Sequence, residues 1–304
     1  MAVIWGICRI PDANLVMIVF AGLSSALLLD VKPFSRRLKK TVLLACYSAA
    51  VQLIFSVSDR LPFIQIITSA AVAYFVFSTL SDRHAGCIVM LTGFLGISAP
   101  PGFLSALGRS IDIFTGSIIV MAVTTLGNAG QAKEKAVQEV PAPGSSYHAG
   151  VLAAKLGIGT AVSEIFRLDQ GSWIMLTILF INMSQSSDFS EKKLIFQRIL
   201  AVPSGIITGG VLLDTFCRTD DRFIWLLPLL GATSFFIFYS SGNFFLFSLV
   251  FMITLTCFSD WLTGSGHSFN FRENFSCRTT ATLIGAMIEL FFFFPRNHKT
   301  EETP

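Results

Sequence analysis

The feature that most restricts this chain is a succession of apolar runs, each about twenty residues long and free of strict apolar-polar alternation. In hydrocarbon every backbone N–H and C=O must be paired within the chain, which leaves α-helices or a closed barrel. Barrel strands are short and alternate, so these runs predict helices. The composition agrees: 53% of the 304 residues are hydrophobic and 13% are charged, against about 25% charged in a soluble domain. The expected fold class is all-α and polytopic, in a bilayer.

The net charge of +3 does not point to nucleic acid, because the basic residues sit in short segments beside apolar runs, where topology signals belong. HExxH, GxSxG, GxxxxGK[ST] and CxxC are all missing from the sequence, which weakens an enzymatic reading. No enzyme activity, cofactor or metal is expected. The cysteines are scattered, several of them within apolar runs where a thiol behaves as a small hydrophobe. The opening MAVIWGICRIPD has neither a basic n-region nor a small-residue cleavage site, so it does not read as a cleaved signal peptide.

About eleven spans are predicted. They run from Asn14 to Asp30, Lys40 to Val57, Pro62 to Leu80, Cys87 to Leu107, Ser110 to Gly127, His148 to Phe166, Trp173 to Gln185, Arg198 to Phe216, Phe223 to Ser240, Asn243 to Phe258 and Arg278 to Phe294. The basic segments VKPFSRRLKK and SDFSEKKLIFQR follow the first and seventh spans, and both belong in the cytoplasm by the positive-inside rule. Arg109 and Arg278 then fall at outer ends and the C-terminal tail falls inside. Residues 128–147, rich in Lys, Glu, Pro and Gly, read as a cytoplasmic linker. It separates a first helical repeat, 1–127, with its first helix truncated or lacking, from a second, 148–296, followed by the tail 297–304.

The two halves share markers in the same order. Asp59-Arg60 opens the third span and Ser78 closes it; Asp221-Arg222 and Ser240 do the same for the ninth, at equal separation. Arg109 precedes Gly116 and Ile119 just as Arg278 precedes Gly285 and Ile288, and Phe34-Ser35 matches Phe189-Ser190 at the two basic loops. These matches with equal sidedness predict two parallel repeats of five and six helices.

Within GSWIMLTILFINMSQSSDFSEKKLIFQRILAVPSGIITGG, residues Trp173, Leu176 and Thr177 and then Gln197, Arg198 and Gly205 follow a W-x-x-L-T and Q-R-x-x-G-T-x-x-G pattern. Arg278, Thr282, Leu283, Ile284 and Gly285 follow a closing R-x-x-x-T-L-I-G segment. In these segments the chain resembles the membrane domain of the fusaric acid resistance and aromatic acid exporter superfamily, with Ala201 and Val202 in place of that pattern's Gly-Thr pair. The resemblance covers most of 149–295 and, more faintly, 13–127. It implies an exporter of aromatic carboxylic acids or related toxic compounds, driven by proton motive force in the bacterial inner membrane and working with a periplasmic membrane-fusion protein.

Charges at membrane depth cost several kcal/mol unless paired or hydrated, so they mark pathways. Lys155 and Glu289 lie inside spans and are candidates for a pair, or for a substrate contact and a proton carrier; snorkelling and a structural hydrogen bond are the bland alternatives. Arg109 and Arg278 suit a departing carboxylate, or merely anchor helix ends, and Asp112 sits one turn below Arg109 as its potential partner. Arg198, at the start of its span, is placed to gather an anion from the cytoplasm or simply to obey the positive-inside rule. Gly205 and Gly209 form a GxxxG packing face, and Gly285 is a third packing glycine. The Phe-rich stretches are read as lipid-facing or core.

A secondary exporter of small organic anions is the leading expectation, since a repeat, buried charge and helix-breaking Pro and Gly coincide as a solute path requires. A non-transporting membrane scaffold or assembly subunit is the alternative, and an intramembrane enzyme lacks a catalytic cluster. The partners expected are the organic anion and membrane lipid, with self-association left open.

Overall fold

The computed structural model describes residues 34–58, 61–80, 83–97, 103–127, 146–168, 170–183, 191–213, 243–263 and 271–297, with residues 215, 230, 233 and 237 in isolation. Every regular element among them is a helix: α1 Phe34–Ser58, α2 Pro62–Thr79, α3 Arg83–Ile97, α4 Phe103–Gly127, α5 Ser146–Ile165, α6 Ser172–Met183, α7 Glu191–Leu212, α8 Phe244–Thr263 and α9 Phe271–Asn297. Four of these contain stretches long and apolar enough to cross a membrane: Leu38–Ser58, Pro62–Thr79, Lys192–Leu212 and Phe275–Phe293. Ser172–Met183 and Phe244–Cys257 are shorter apolar helices. The expected spans Asn14 to Asp30 and Phe223 to Ser240, the linker's residues 128–145 and the tail 298–304 lie outside the described residues, apart from the isolated positions already named.

Helix boundaries follow local chemistry. Pro62 opens α2 at a position where a missing N–H costs no hydrogen bond. Asn243 caps α8 by accepting a bond from the Leu246 N–H, 3.1 Å. The boundary expected between a span ending at Leu107 and one starting at Ser110 falls inside a single helix, which runs from Phe103 through Gly108 to Gly127; one glycine in a helix interior costs only about 1 kcal/mol. Two other starts also come earlier than expected. Helix α7 begins at Glu191 instead of Arg198, and α9 begins at Phe271 instead of Arg278.

The chain divides into two compact units, 1–161 and 162–304, with the division inside α5. In the first, α1 packs against α2, α3 and α4. Its core is tight enough that a Cβ on Gly93 of α3 would lie 2.5 Å from a Val51 methyl and 2.7 Å from the Phe55 ring. In the second, α7 packs against α8 and α9, and α6 packs against α9 and α7. Gly205 and Gly209 are the closest points of α7 to α8: a Cβ at Gly205 would meet the Met252 Cβ at 2.5 Å and the Leu249 carbonyl at 2.9 Å, and one at Gly209 would meet Thr256 at 2.9 Å. Gly285 plays the same part between α9 and α6, 2.8 Å from the Ile174 carbonyl.

Helix α6 differs from the rest. Every residue from Ser172 to Met183 is buried, as an all-round apolar helix should be. Its 12 described residues cover about 18 Å.

Candidate functional site

The buried charges gather into separate settings in the two units. In the first, Arg109 lies within α4, 4% exposed. Its Nη2 donates to the Ser56 hydroxyl at 3.0 Å. With the Gln52 amide oriented so that its oxygen faces the guanidinium, Arg109 Nε donates to Gln52 Oε1 at 2.9 Å while Gln52 Nε2 donates to the Thr92 carbonyl at 2.7 Å. Gln52 thereby ties α1, α3 and α4 together. Asp112 is half-buried three residues on in α4. Lys155 is buried at 5% exposure in the middle of α5.

In the second unit three ionisable side chains surround α6. Arg278 of α9, 4% exposed, donates from Nε to Gln170 Oε1 at 2.9 Å, and its guanidinium lies 4.8 Å from the centre of the Trp173 ring. Glu289, also on α9 and fully buried, accepts a hydrogen bond from Asn182 Nδ2, which in turn donates to the Ile178 carbonyl. Arg198 of α7 is fully buried as well, and its guanidinium lies 4.7 Å over the Phe180 ring. Among the described residues none of its three nitrogens has a hydrogen-bond partner, nor does the neighbouring Gln197 Oε1.

Arg198 was expected at the start of its span; it lies instead about two turns inside α7 and is completely enclosed. A guanidinium stays charged in proteins and offers five donors. Burying an unpaired ion costs several kcal/mol, and a desolvated cation–π contact returns about 2 kcal/mol. The Phe180 face therefore does not satisfy Arg198, and its donor edge is left without an acceptor among the described residues. Pro203, inside the same helix, cannot donate to the Ile199 carbonyl, so α7 has a weakened backbone bond next to this arginine. Phe180 itself packs edge-on against Phe251 and Phe247, ring centres at 5.0 and 5.7 Å. The surroundings are thus an aromatic cluster with one bare cation, suited to a planar organic anion.

The turn that leads into α6 is strained. Arg167 and Gln170 have φ of 48° and 58°, a conformation that costs a side-chain-bearing residue roughly 1–2 kcal/mol. Gly171 presses so closely on Ser163 that a Cβ would lie 1.7 Å from its hydroxyl oxygen. This turn holds the Gln170 amide against Arg278.

The geometry groups Arg198 with Phe180, Glu289 with Asn182, Arg278 with Gln170 and Trp173, and Arg109 with Gln52 and Ser56. Lys155 and Glu289, considered together from the sequence, belong to different units. Sequence reasoning passed over Asn182, Gln170, Gln52 and Phe180. A lone Asn or Gln within an apolar run is the signal that marks the first and third, because an amide in hydrocarbon demands a partner.

Residues 158–292 match the family described as fusaric acid resistance protein-like. Over those residues the chain is similar to that family. The match spans α6 to α8 and α9 through Phe292, and includes Arg198, Arg278 and Glu289. No match was found among curated proteins or among solved structures. With four helices long and apolar enough to cross a membrane and a segment similar to this family, the chain is a membrane protein.

Proposed function

We propose that this protein is a secondary exporter of small organic anions, in particular aromatic carboxylic acids, residing in the bacterial inner membrane and driven by proton motive force. The observation that carries the reading is Arg198, fully buried over Phe180 with no acceptor for its guanidinium among the described residues. A carboxylate supplies the missing acceptor in bidentate fashion, and an aryl group finds Phe180, Phe247 and Phe251 beside it. Glu289, positioned by Asn182, carries the coupling proton. The basic residues Lys192 and Lys193 mark the cytoplasmic end of α7, so substrate enters there and leaves toward Arg278.

The two halves are read as parallel repeats of one unit in an eleven-span protein. In support, α1 packs on α3 and α4 in the first half as α7 packs on α8 and α9 in the second. A periplasmic membrane-fusion protein would extend the route beyond the outer end. The test is efflux of a radiolabelled aromatic carboxylate from energised cells. Wild type lowers intracellular label and Arg198→Gln does not, while both reach the membrane in equal amount. Equal efflux by the two would dismiss Arg198 as the binding cation, and no efflux of any carboxylate by wild type would dismiss the exporter reading.

A further inference from the structure

Trp173 and Phe180 are seven residues apart on α6, so they stand on one stripe of the helix about 10 Å apart. Each carries an arginine on its face: Arg198 at 4.7 Å from the Phe180 ring and Arg278 at 4.8 Å from the Trp173 ring. The two stacks repeat one design, a buried guanidinium whose flat side is covered by an aromatic ring, yet the arginines come from different helices, α7 and α9. Stacking on the flat side is compatible with carboxylate recognition along the edge. At Arg198 the edge has no acceptor among the described residues, whereas at Arg278 the Gln170 amide oxygen holds Nε.

We propose that Arg278 and Trp173 form a second binding station for organic carboxylates, and that Gln170 is its displaceable occupant. Gln170 is held on Arg278 by a turn in which two non-glycine residues adopt positive φ, so releasing it relieves strain. A neutral amide acceptor is also the weaker competitor: a carboxylate brings a full opposite charge and engages two guanidinium N–H groups at once. An anion leaving Arg198 would meet Arg278 as the next buried guanidinium along α6, expel the Gln170 amide, and be expelled in turn when the turn re-forms. The ligand class rests on the exporter reading above; the geometry of the station does not.

The experiment uses the purified full-length protein in lipid nanodiscs, with Trp5, Trp225 and Trp261 replaced by Phe so that emission reports Trp173. Arg198→Gln is added to silence the other station. The probe is cyclohexanecarboxylate, which does not absorb near tryptophan, with cyclohexylmethanol as the neutral control. The expected result is a saturable change in Trp173 emission with the carboxylate alone, lost in Arg278→Gln. Gln170→Gly, which accepts the same backbone and deletes the competing amide, should tighten apparent binding roughly tenfold. Gln170→Glu, which fills the station permanently, should abolish it. An Arg278→Gln titration like its parent's, or equal affinities for Gln170→Gly, Gln170→Glu and wild type, overturns the proposal. Because the Gln170 variants keep the arginine, they decide the matter even where Arg278→Gln fails to fold. A Trp173 response in a protein that exports nothing would sink the exporter reading and leave the station; export without any Trp173 response would do the reverse.

Discussion

Two glutamine-arginine pairs, one in each unit, have the same bond and opposite supports. Gln52 and Gln170 each accept from an arginine Nε at 2.9 Å, and each arginine is 4% exposed. Gln52 lies within the regular backbone of α1, its second amide atom engaged by Thr92 and its arginine also bonded to Ser56. Gln170 sits in a turn at φ 58°, and its arginine rests on a tryptophan face. Identical chemistry therefore serves a fixed staple in one unit and a strained contact in the other. What separates them is the cost of letting go. A third arginine, Arg198, completes the series by having no acceptor among the described residues.

The largest effect that bears on this comparison belongs to the staple. Gln52→Leu removes the acceptor of Arg109 Nε, a hydrogen bond to a charged group worth about 1.5–3 kcal/mol, and with it the bond to the Thr92 carbonyl. We expect a clear fall in the thermal midpoint of the purified protein in detergent. An unchanged midpoint would erase the distinction between the two pairs.

Arg198 predicts a change of opposite sign. Replacing an uncompensated buried ion by a well-packed apolar side chain stabilises a protein by about 1–4 kcal/mol, so Arg198→Leu should raise the midpoint while abolishing carboxylate efflux. Stability given up at a working site is the expected pattern for a binding cation. A lowered midpoint would instead place Arg198 among the structural groups and remove its support for anion binding.

These distinctions were only partly legible in the sequence. Apolar run length was enough for the helical class and for α2 almost to the residue, since Pro62 and Leu80 bound it on both sides. The depth of the arginines was not legible, and for one shared reason. Hydropathy ends a span at a charge, so Arg109, Arg198 and Arg278 were all expected at span starts, whereas each lies about two turns inside a longer helix. The preceding segments, EKKLIFQ before Arg198 and FRENFSC before Arg278, are polar yet continue the helix. Nor does linear spacing reveal that Trp173 and Phe180 would each receive an arginine from a different helix. That depends on how α6, α7 and α9 pack.

The packing glycines sharpen the comparison at a smaller scale. The three atoms nearest a Cβ at Gly93 of the first unit are side-chain atoms of Val51 and Phe55, whereas at Gly205 they include the Leu249 backbone carbonyl at 2.9 Å. Side chains can shift and a helical carbonyl cannot without breaking its own bond. Gly205→Ala should therefore lose about 1–3 kcal/mol, and Gly93→Ala should lose less, as read by thermal midpoints side by side. The reverse ranking would mean that the α1–α3 contact is the more rigid of the two.

The smallest effect is the most discriminating, because two terms oppose each other at Gln170. Gln170→Gly removes a hydrogen bond to a charged group, worth about 1.5–3 kcal/mol, and also removes the cost of a positive φ, roughly 1–2 kcal/mol, which glycine adopts freely. The net change should fall between a gain of about 0.5 and a loss of about 2 kcal/mol, smaller than the loss in Gln52→Leu, where no strain is relieved. Gln170→Ala separates the terms, because alanine gives up the hydrogen bond and keeps the strain, so it should be the less stable of the two variants by about 1 kcal/mol. If glycine and alanine at 170 gave equal midpoints, the turn would carry no stored strain. The two glutamine-arginine pairs would then differ in their surroundings but not in how readily they release.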